Sequence, residues 1–464
     1  MDDKLIIVSS DSHAGVPKEL WTQYLDERYH ELLPSLRADN EIYPTAIFLL
    51  GAKGGSSSLP EIQQAHRNDY HGLYDPVLRL ADMDREGIAA ELIYHGDFRL
   101  GDMFHNATNR LYPMEAWEAG ARGWNRWAAD AFGFAMERFL VTAAIGPCTD
   151  MDATIAELEW IADKRFTATF LPGFLRHADM PPLYDEYWEP FWSASEELGL
   201  ALVVHAGFGT EHGVVFPQLE RIYNDVAKAA GSTEPEALFA HADAVSDESV
   251  TFFHDFLSHN VSSRRPMWQM MLGGVFDRHP RLRLLLTEIR LDWVPATLRH
   301  LDAVYDEHRD ELPAKRKPSE YWPTNCLAGA SFIHKVEVEM RHEIGVETIL
   351  FGRDFPHPEG TWPNTKDWLR LAFAGVPEEE LRLMLGENAV RFLDLDRDRL
   401  VEIAKRIGLS VDDVIGGGDP AVRPELVTNF DQRGGFLKPA EGEDKLPMVD
   451  SLLREDLELA AVRT

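Results

Sequence analysis

The feature that most constrains the fold of this chain is a series of short apolar runs, each followed by polar residues and then by a helix-like segment. Runs that are apolar at every position are typical of strands buried on both faces, and alternation of strands with helices makes such a sheet parallel. Eight such strands predict an α/β fold of the (β/α)8 (TIM) barrel type. The runs cover residues 5–8, 92–94, 139–142, 167–171, 200–204, 282–287, 326–332 and 348–351.

Two connections between the predicted strands are much longer than the others. We expect one barrel domain over residues 1–408, with long insertions at about 14–87 and 208–280. Insertions that follow barrel strands lie at the carboxyl end of the barrel, where they shape the substrate pocket. The helical spacing fades after this domain, and residues 409–464 are predicted to form a C-terminal extension that packs on the barrel or on a neighbouring subunit.

The strongly acidic composition limits the kinds of molecule that the protein can bind. Asp and Glu number 78 and Lys and Arg 46, which gives a formal net charge of −32. Binding to nucleic acid or to an anionic membrane depends on basic residues, so we expect neither partner. An anionic small-molecule substrate would need a local cation, and the candidates are Arg264, Arg265 and Arg353.

The cysteines and the apolar segments indicate the compartment. Cys148 and Cys326 lie in apolar runs and are too few for a disulfide framework, so we expect buried thiols. The segment that follows Met1 has no cationic stretch leading into a signal-peptide core, and no apolar stretch approaches the roughly 20 residues that cross a bilayer. We therefore expect a cytoplasmic protein.

Side chains that can bind metals lie at the ends of the predicted strands. Asp11 and His13 end the first strand, and residues i and i+2 of a strand share a face. His205 ends the fifth strand, Glu288 the sixth and Asp354 the eighth. Because the carboxyl ends of all barrel strands meet at one rim, these five side chains are predicted to surround a metal ion.

Three further side chains are candidates for the same ligand set. They are Glu91 on the second strand, His259 in the second insertion and His357 near the eighth strand. Each has an alternative role: Glu91 could pair with a buried polar group, His259 could lie on the solvated face of a helix, and His357 could orient a ligand instead of binding metal. Glu288 could likewise be held by Arg290.

His95 and His105 fall in loops on the same face of the predicted barrel. We interpret them as structural residues or as residues that line a substrate pocket, and not as metal ligands.

Several segments resemble signatures of the amidohydrolase superfamily, in particular its amidohydrolase-related second branch. The resemblance covers roughly residues 4–408 and implies a metal-dependent barrel. It rests on the order of the strand-end residues and on segments 273–280 (GGVFDRHP), 288–295 (EIRLDWVP), 351–363 (FGRDFPHPEGTWP) and 386–389 (GENA).

Three departures from that family bear on the reaction. The first strand carries D-x-H where many hydrolytic members have H-x-H, and Glu288 stands where decarboxylase-like members often have His. Residues 167–174, the fourth strand, offer no lysine that could be carbamylated to bridge two metals. A carbamate-bridged dizinc amidase is therefore disfavoured.

Carboxylates in place of imidazoles shift the metal preference from zinc towards iron or manganese. Segments 317–322 (KPSEYW) and 359–363 (EGTWP) resemble a group of TIM-barrel, non-haem, dinuclear iron or manganese/iron oxygenases. That resemblance implies a monooxygenase with two Fe ions, or one Mn and one Fe, that hydroxylates an unactivated C–H bond of a carboxylic or CoA-linked molecule. Asp354 and Glu288 are its candidate catalytic residues.

Such an oxygenase would need an external electron donor, because the sequence has neither a G-x-G-x-x-G fingerprint after a strand nor clustered cysteines. We also expect a homo-oligomer or a complex with a paralogous barrel.

Two alternatives remain open. The first is a single-metal hydrolase or non-oxidative decarboxylase with Zn or Mn, in which Asp354 acts as the general acid/base. The second is a non-catalytic barrel that serves as a scaffold for an active paralogue, because a fold alone does not confer function.

Overall fold

The computed structural model describes residues 4–53, 70–96, 100–105, 112–173, 175–176, 180–211, 215–258, 261–330, 333–357, 360–416, 422–433 and 446–463. Eight parallel strands form its centre, each paired with the next along the chain. They confirm the predicted α/β fold of the (β/α)8 barrel type. The strands are β1 Val8–Ser9, β2 Ala90–Ile93, β3 Phe139–Ala143, β4 Ala168–Phe170, β5 Ala201–His205, β6 Leu284–Thr287, β7 Cys326–Ala330 and β8 Ile349–Phe351.

The last strand returns to the first through the segments that follow both of them. The amide of Ser10 donates to the carbonyl of Phe351 at 2.8 Å, and the amide of Asp354 donates to the carbonyl of Asp11 at 2.9 Å. A parallel bridge pairs Ser12 with Phe355. The barrel closure therefore brings the D-x-H segment beside the segment that carries Asp354.

Both faces of the strands are apolar, which explains the continuous apolar runs. Val203 and Leu285 point into the barrel, whereas their neighbours Leu202 and Leu284 pack in the layer between the strands and the helices. Alternate residues of a strand point to opposite faces, so a strand covered on both sides must be apolar at every position.

Helices surround the strands, and the helix Pro76–Glu86 has clear signals at both ends. The helix Pro76–Glu86 begins at Asp75, whose side chain accepts two backbone N–H groups, and ends at Gly87 in the left-handed conformation. The α-helices are Trp21–Tyr24, Leu33–Lys53, Pro76–Glu86, Met114–Phe132, Met151–Asp163, Glu189–Leu198, Val215–Ala230, Pro235–Ala240, Asp247–Ser258, Arg265–Leu272, Val275–Arg278, Val294–His308, Pro318–Asn325, Lys335–Glu339, Arg341–Ile344, Thr365–Ala372, Glu378–Arg382, Asn388–Leu393, Arg397–Ile407, Val411–Ile415, Pro424–Arg433 and Leu446–Arg463.

The two long connections pack against each other. The helix Leu33–Lys53 from the β1–β2 connection lies against the helix Val215–Ala230 from the β5–β6 connection. Leu49 and Leu219 are fully buried in a separate apolar cluster between them. Packing between the two connections therefore builds a small core beside the barrel.

The C-terminal helix Leu446–Arg463 packs on the barrel helices Arg265–Leu272 and Val294–His308. Its Asp456 is buried and accepts hydrogen bonds from Trp268 at 2.9 Å and Gln269 at 2.7 Å. These hydrogen bonds to Asp456 hold the acidic C-terminal helix against the barrel.

Among the described helices, none combines the length and the apolar character that a membrane crossing requires. Cys148 and Cys326 are both buried, free thiols.

Candidate active site and metal-binding clusters

The closed barrel gathers four of the predicted ligands within a few ångströms. His13 Nε2 lies 3.5 Å from Asp11 Oδ1 and 3.4 Å from Asp354 Oδ1. His205 Nε2 lies 3.6 Å from Asp11 Oδ1. All four side chains are buried, with His205 the most exposed at 8%.

Two more candidates complete this group. Glu288 Oε2 lies 3.0 Å from His205 Nε2. His357 Nδ1 lies 3.0 Å from Asp354 Oδ1. The His357 ring also stacks on His13, with centroids 4.0 Å apart and an interplanar angle of 18°. We call the group of six residues, Asp11, His13, His205, Glu288, Asp354 and His357, the barrel-mouth cluster.

Backbone carbonyls fix the tautomers of two imidazoles. His13 Nδ1 lies 2.8 Å from the carbonyl of His95, and His205 Nδ1 lies 3.0 Å from the carbonyl of Ala206. A carbonyl oxygen can only accept a hydrogen bond, so each Nδ1 donates. In the neutral imidazoles Nε2 then carries a lone pair directed at Asp11, which is the arrangement of metal-ligating histidines.

The residues fit a divalent cation. Both carboxylate oxygens of Asp11 and Nε2 of His13 and His205 are buried without a hydrogen-bond partner among the described residues. Burial of polar atoms without partners costs free energy, whereas a cation held by several lone pairs would satisfy them together. Asp11, His13 and His205 form one metal-capable triad, and His13, Asp354 and His357 form another.

The electrostatics favour one added positive charge. Burial raises the pKa of Asp11, but the interaction with His205 and the nearby imidazoles outweigh it and hold that pKa below its usual value. Burial and the charge of His357 lower the pKa of His13. Burial also lowers the pKa of His205, but the carboxylates of Glu288 and Asp11 raise it well above its usual value. A proton on His205 or a metal ion can supply that positive charge.

Strained backbone conformations occur where β6 and β8 lead into the cluster. Glu288, Arg290 and Asp354 have φ of 55°, 58° and 51°. Non-glycine residues rarely adopt this left-handed region, and such strain is found at functional sites that the surrounding fold holds in place.

A second triad, which the sequence analysis did not identify as a metal site, follows β2. His95 Nδ1 lies 3.2 Å from Asp102 Oδ2, and His105 Nε2 lies 3.6 Å from Asp102 Oδ1. All three residues are buried. Their ligand atoms lie within 4.8 Å of one another. We call His95, Asp102 and His105 the side cluster. The sequence signal that could have revealed it is the H-x6-D-x2-H spacing after a strand.

The structure corrects the predictions for Glu91 and Arg353. The Glu91 carboxylate is fully buried between two guanidinium groups, with Arg79 Nε on one oxygen and Arg353 Nε 2.8 Å from the other. Arg353 also donates to Asp82 at 2.7 Å. Glu91 is therefore a counter-ion and not a metal ligand, and Arg353 is fully buried and paired, so it is not a cation that meets substrate.

The remaining cations differ in their surroundings. Arg265 is paired with Asp456 at 2.8 Å. Arg264 is buried, and its guanidinium carbon lies 4.6 Å from the centre of the Trp293 ring. Its Nε and Nη1 have no hydrogen-bond partner in the part of the chain that the structure describes. His259 lies outside the described residues.

A cavity of about 140 Å³ opens near the carboxyl ends of two strands. The C-terminal helix forms one of its walls, so this helix and the barrel together define the space. Its lining includes residues after β4, residues after β5 and residues of that helix: Gly173, Met180, Phe208, Gly209, Leu452 and Asp456.

Comparison with known proteins supplies the family. The family model described as amidohydrolase matches residues 64–395, which is well over half of the chain. A gamma-resorcylate decarboxylase of Rhizobium radiobacter is 28% identical over 274 residues, covering 56% of this chain and 71% of that protein. A gamma-resorcylate decarboxylase of Rhodococcus jostii (strain RHA1) is 27% identical over 278 residues, covering 56% of this chain and 72% of that protein.

Solved structures agree on the fold. A 5-carboxyvanillate decarboxylase from Sphingomonas paucimobilis has a TM-score of 0.53 at 19% identity and covers 84% of this chain and 100% of its own. A dihydroxybenzoic acid decarboxylase from Polaromonas sp. JS666, with bound manganese and 2-nitroresorcinol, has a TM-score of 0.52 at 18% identity and covers 85% of this chain and 99% of its own.

These findings overturn the oxygenase expectation. The matching curated proteins are decarboxylases, so the prediction of a dinuclear iron monooxygenase is wrong, and the electron donor was required only by that reading. The expected superfamily is confirmed, because the family model covers the part of the chain that carries His205, Glu288 and Asp354. This chain belongs to the amidohydrolase family.

Proposed function

We propose that this protein is a metal-dependent, non-oxidative decarboxylase of hydroxylated aromatic carboxylic acids. The observation that carries the proposal is the buried barrel-mouth cluster, in which contacts of 3.4–3.6 Å join Asp354 to His13, His13 to Asp11 and Asp11 to His205. It occurs in a chain whose curated relatives are gamma-resorcylate decarboxylases.

The reaction needs no electron donor. The bond between the aromatic ring and the carboxylate carbon breaks, its electron pair stays on the ring carbon, a proton takes the vacated position and CO2 leaves. A divalent metal would supply positive charge that holds the oxygen atoms of the substrate and offsets negative charge that develops on the ring.

Asp11, His13, His205 and Asp354 would hold the metal, with Glu288 adjacent to His205. Carboxylates are hard ligands, so this set favours manganese over zinc. The manganese in solved relatives supports the same choice.

We assign the proton transfer to Asp354. Its Oδ1 lies 3.0 Å from His357 Nδ1, so a proton can be held between the two atoms. Burial of both side chains excludes bulk water from this pair. His357 thus acts on the reaction through Asp354, while Glu288 orients His205 from 3.0 Å away.

Arg264 is the cation that we assign to the carboxylate of the substrate. Its unpartnered N–H groups can donate to an anion, and burial lowers its pKa only to about 10, so it stays charged at neutral pH. Ser262, two residues earlier, lines the cavity. Burial raises the pKa of the nearby Asp292 to about 6, so this carboxylate is still mostly ionised at neutral pH and favours the charged form of Arg264.

The test is turnover of 2,6-dihydroxybenzoate and 5-carboxyvanillate by manganese-loaded protein under argon and in air. We expect equal CO2 release in both atmospheres and loss of activity after chelation. Oxygen-dependent turnover, or release of CO2 that survives chelation, would refute the proposal. Hydrolysis of an ester or amide without decarboxylation of any aromatic acid would instead indicate a hydrolase.

A further inference from the structure

The side cluster repeats the tautomer arrangement of the barrel-mouth cluster. His105 Nδ1 lies 3.0 Å from the carbonyl of Met103, so Nδ1 donates and Nε2 carries the lone pair of the neutral ring. That Nε2 lies 3.6 Å from Asp102 Oδ1. The separations of His13 Nε2 and His205 Nε2 from Asp11 Oδ1 are 3.5 and 3.6 Å.

Two hydrogen-bond acceptors, His105 Nε2 and Asp102 Oδ1, thus face each other in the protein interior. The His105 side chain is 3% exposed and that of Asp102 is 1% exposed. His105 Nε2 has no hydrogen-bond partner among the described residues.

From these contacts we propose that His95, Asp102 and His105 bind a second divalent transition-metal ion of the zinc type. Two ligand atoms at roughly 2.0–2.1 Å from a tetrahedral ion lie about 3.3–3.4 Å apart. His95 Nδ1 lies 3.2 Å from Asp102 Oδ2 and His105 Nε2 lies 3.6 Å from Asp102 Oδ1, so the separations to the two carboxylate oxygens lie on either side of that value. Two imidazoles and one carboxylate form a softer set than the carboxylate-rich barrel-mouth cluster, so the two sites differ in metal preference.

Local packing holds the three ligands in place. A side chain at Gly120 would collide with the carbonyl of Met103, so only glycine lets the helix Met114–Phe132 approach the segment that carries Asp102 and His105. His95 packs edge-on against Phe170 of β4, with centroids 4.9 Å apart.

His95 connects the two sites. Its carbonyl accepts the Nδ1–H of His13, while its imidazole faces Asp102. A metal bound to the side cluster would therefore hold the residue whose carbonyl orients His13.

Metal content of the full-length protein tests the proposal independently of decarboxylase activity. Apoprotein is dialysed against Zn²⁺, and bound zinc per chain is measured by mass spectrometry. We expect two equivalents in the wild type, one in His105→Gln, one in Asp102→Asn and one in Asp11→Asn. The double variant Asp11→Asn/His105→Gln should bind none.

His279→Gln is the matched control, because His279 is a buried histidine that pairs with Glu189 outside both clusters. It should keep two equivalents. A single equivalent in the wild type that Asp11→Asn removes, or two equivalents in both His105→Gln and Asp102→Asn, would overturn the proposal.

Wild-type crystals soaked in zinc give an answer that does not depend on the folding of any variant. An anomalous peak at the zinc edge between His95, Asp102 and His105 is expected. A map with a peak only at the barrel-mouth cluster would contradict the second site.

Discussion

The barrel-mouth cluster and the side cluster contain the same types of side chain, histidines and carboxylates, but are assembled differently. The first draws Asp11, His205 and Asp354 from three strand ends that are far apart in sequence, whereas the second takes all its residues from the eleven positions between His95 and His105. In both, a backbone carbonyl fixes a histidine tautomer, and Nε2 lies about 3.6 Å from a carboxylate oxygen. The comparison shows that local chain geometry can build a histidine–carboxylate pair as well as barrel closure can.

The clusters also differ in how many carboxylates they contain. Three acidic side chains belong to the barrel-mouth cluster and one to the side cluster. A larger negative charge binds a cation more strongly and lets the site take a hard metal and an anionic substrate together. We therefore assign catalysis to the barrel-mouth cluster alone.

The largest effect is expected for Asp11→Asn. Asp11 faces both His13 and His205, so loss of its charge should empty the catalytic site and lower kcat/KM by about 10³-fold or more, since metal charge stabilisation is worth several kcal/mol. Steady-state kinetics and metal analysis measure the two effects. Activity close to that of the wild type would show that Asp11 is not part of the catalytic site. It would also contradict the assignment of catalysis to the barrel-mouth cluster.

Asp354→Asn should lower kcat by about 10²–10⁴-fold, the usual contribution of a general acid, because an amide cannot deliver the proton. Metal should stay bound, since the triad of Asp11, His13 and His205 is intact. The measurement is kcat beside manganese content per chain. If manganese is lost in parallel with kcat, Asp354 acts chiefly as a ligand and the proton comes from another group.

Glu91→Gln tests the corrected role of this residue. It leaves the fully buried Arg79 and Arg353 without their shared counter-ion, and removal of one partner of a buried pair costs about 3–5 kcal/mol. Chemical denaturation should show the loss, while metal per chain stays at the wild-type value. Glu402→Gln, in an exposed ion pair with Lys405, is the control and should leave the denaturation midpoint unchanged. Loss of one metal equivalent without loss of stability would restore Glu91 as a ligand.

The smallest effect is expected for Arg264→Gln. If Arg264 binds the carboxylate of the substrate, KM should rise about 10- to 100-fold, because a charge-assisted hydrogen bond contributes about 1.5–3 kcal/mol, while kcat changes less. Arg264→Lys should recover part of the affinity. An unchanged KM in both variants would show that another residue binds the anion.

Much of the fold could be predicted because it depends on local patterns. Strands buried on both faces must be apolar throughout, so the runs around Val203 and Leu285 were recognisable. The strand-end residues Asp11, His205 and Asp354 were candidates for the same reason, since the ends of parallel strands meet at one rim.

The incorrect site predictions concern which side chains pair with each other, and not where the residues lie in the barrel. Glu91 and Arg353 were assigned to metal and substrate because each is a charged residue near a strand end, yet they pair with each other at 2.8 Å. The counter-ion of a buried charge can be far away in the sequence. The local sequence around Glu91 or Arg353 therefore does not show that the two side chains are close in space. The reaction was mistaken because a ligand set limits the metal more than it limits the chemistry performed there.

The eight-stranded barrel and the residues at its rim could be predicted from the amino-acid pattern, because hydrophobic periodicity reports burial directly. Which of those residues contact one another depends on the folded chain. Barrel closure joins Asp11 to Asp354, burial joins Glu91 to Arg353, and the left-handed turn at Phe104, with φ of 70°, places His105 beside Asp102. Electrostatic and metal-binding roles depend on distances of a few ångströms, and the folded backbone sets those distances.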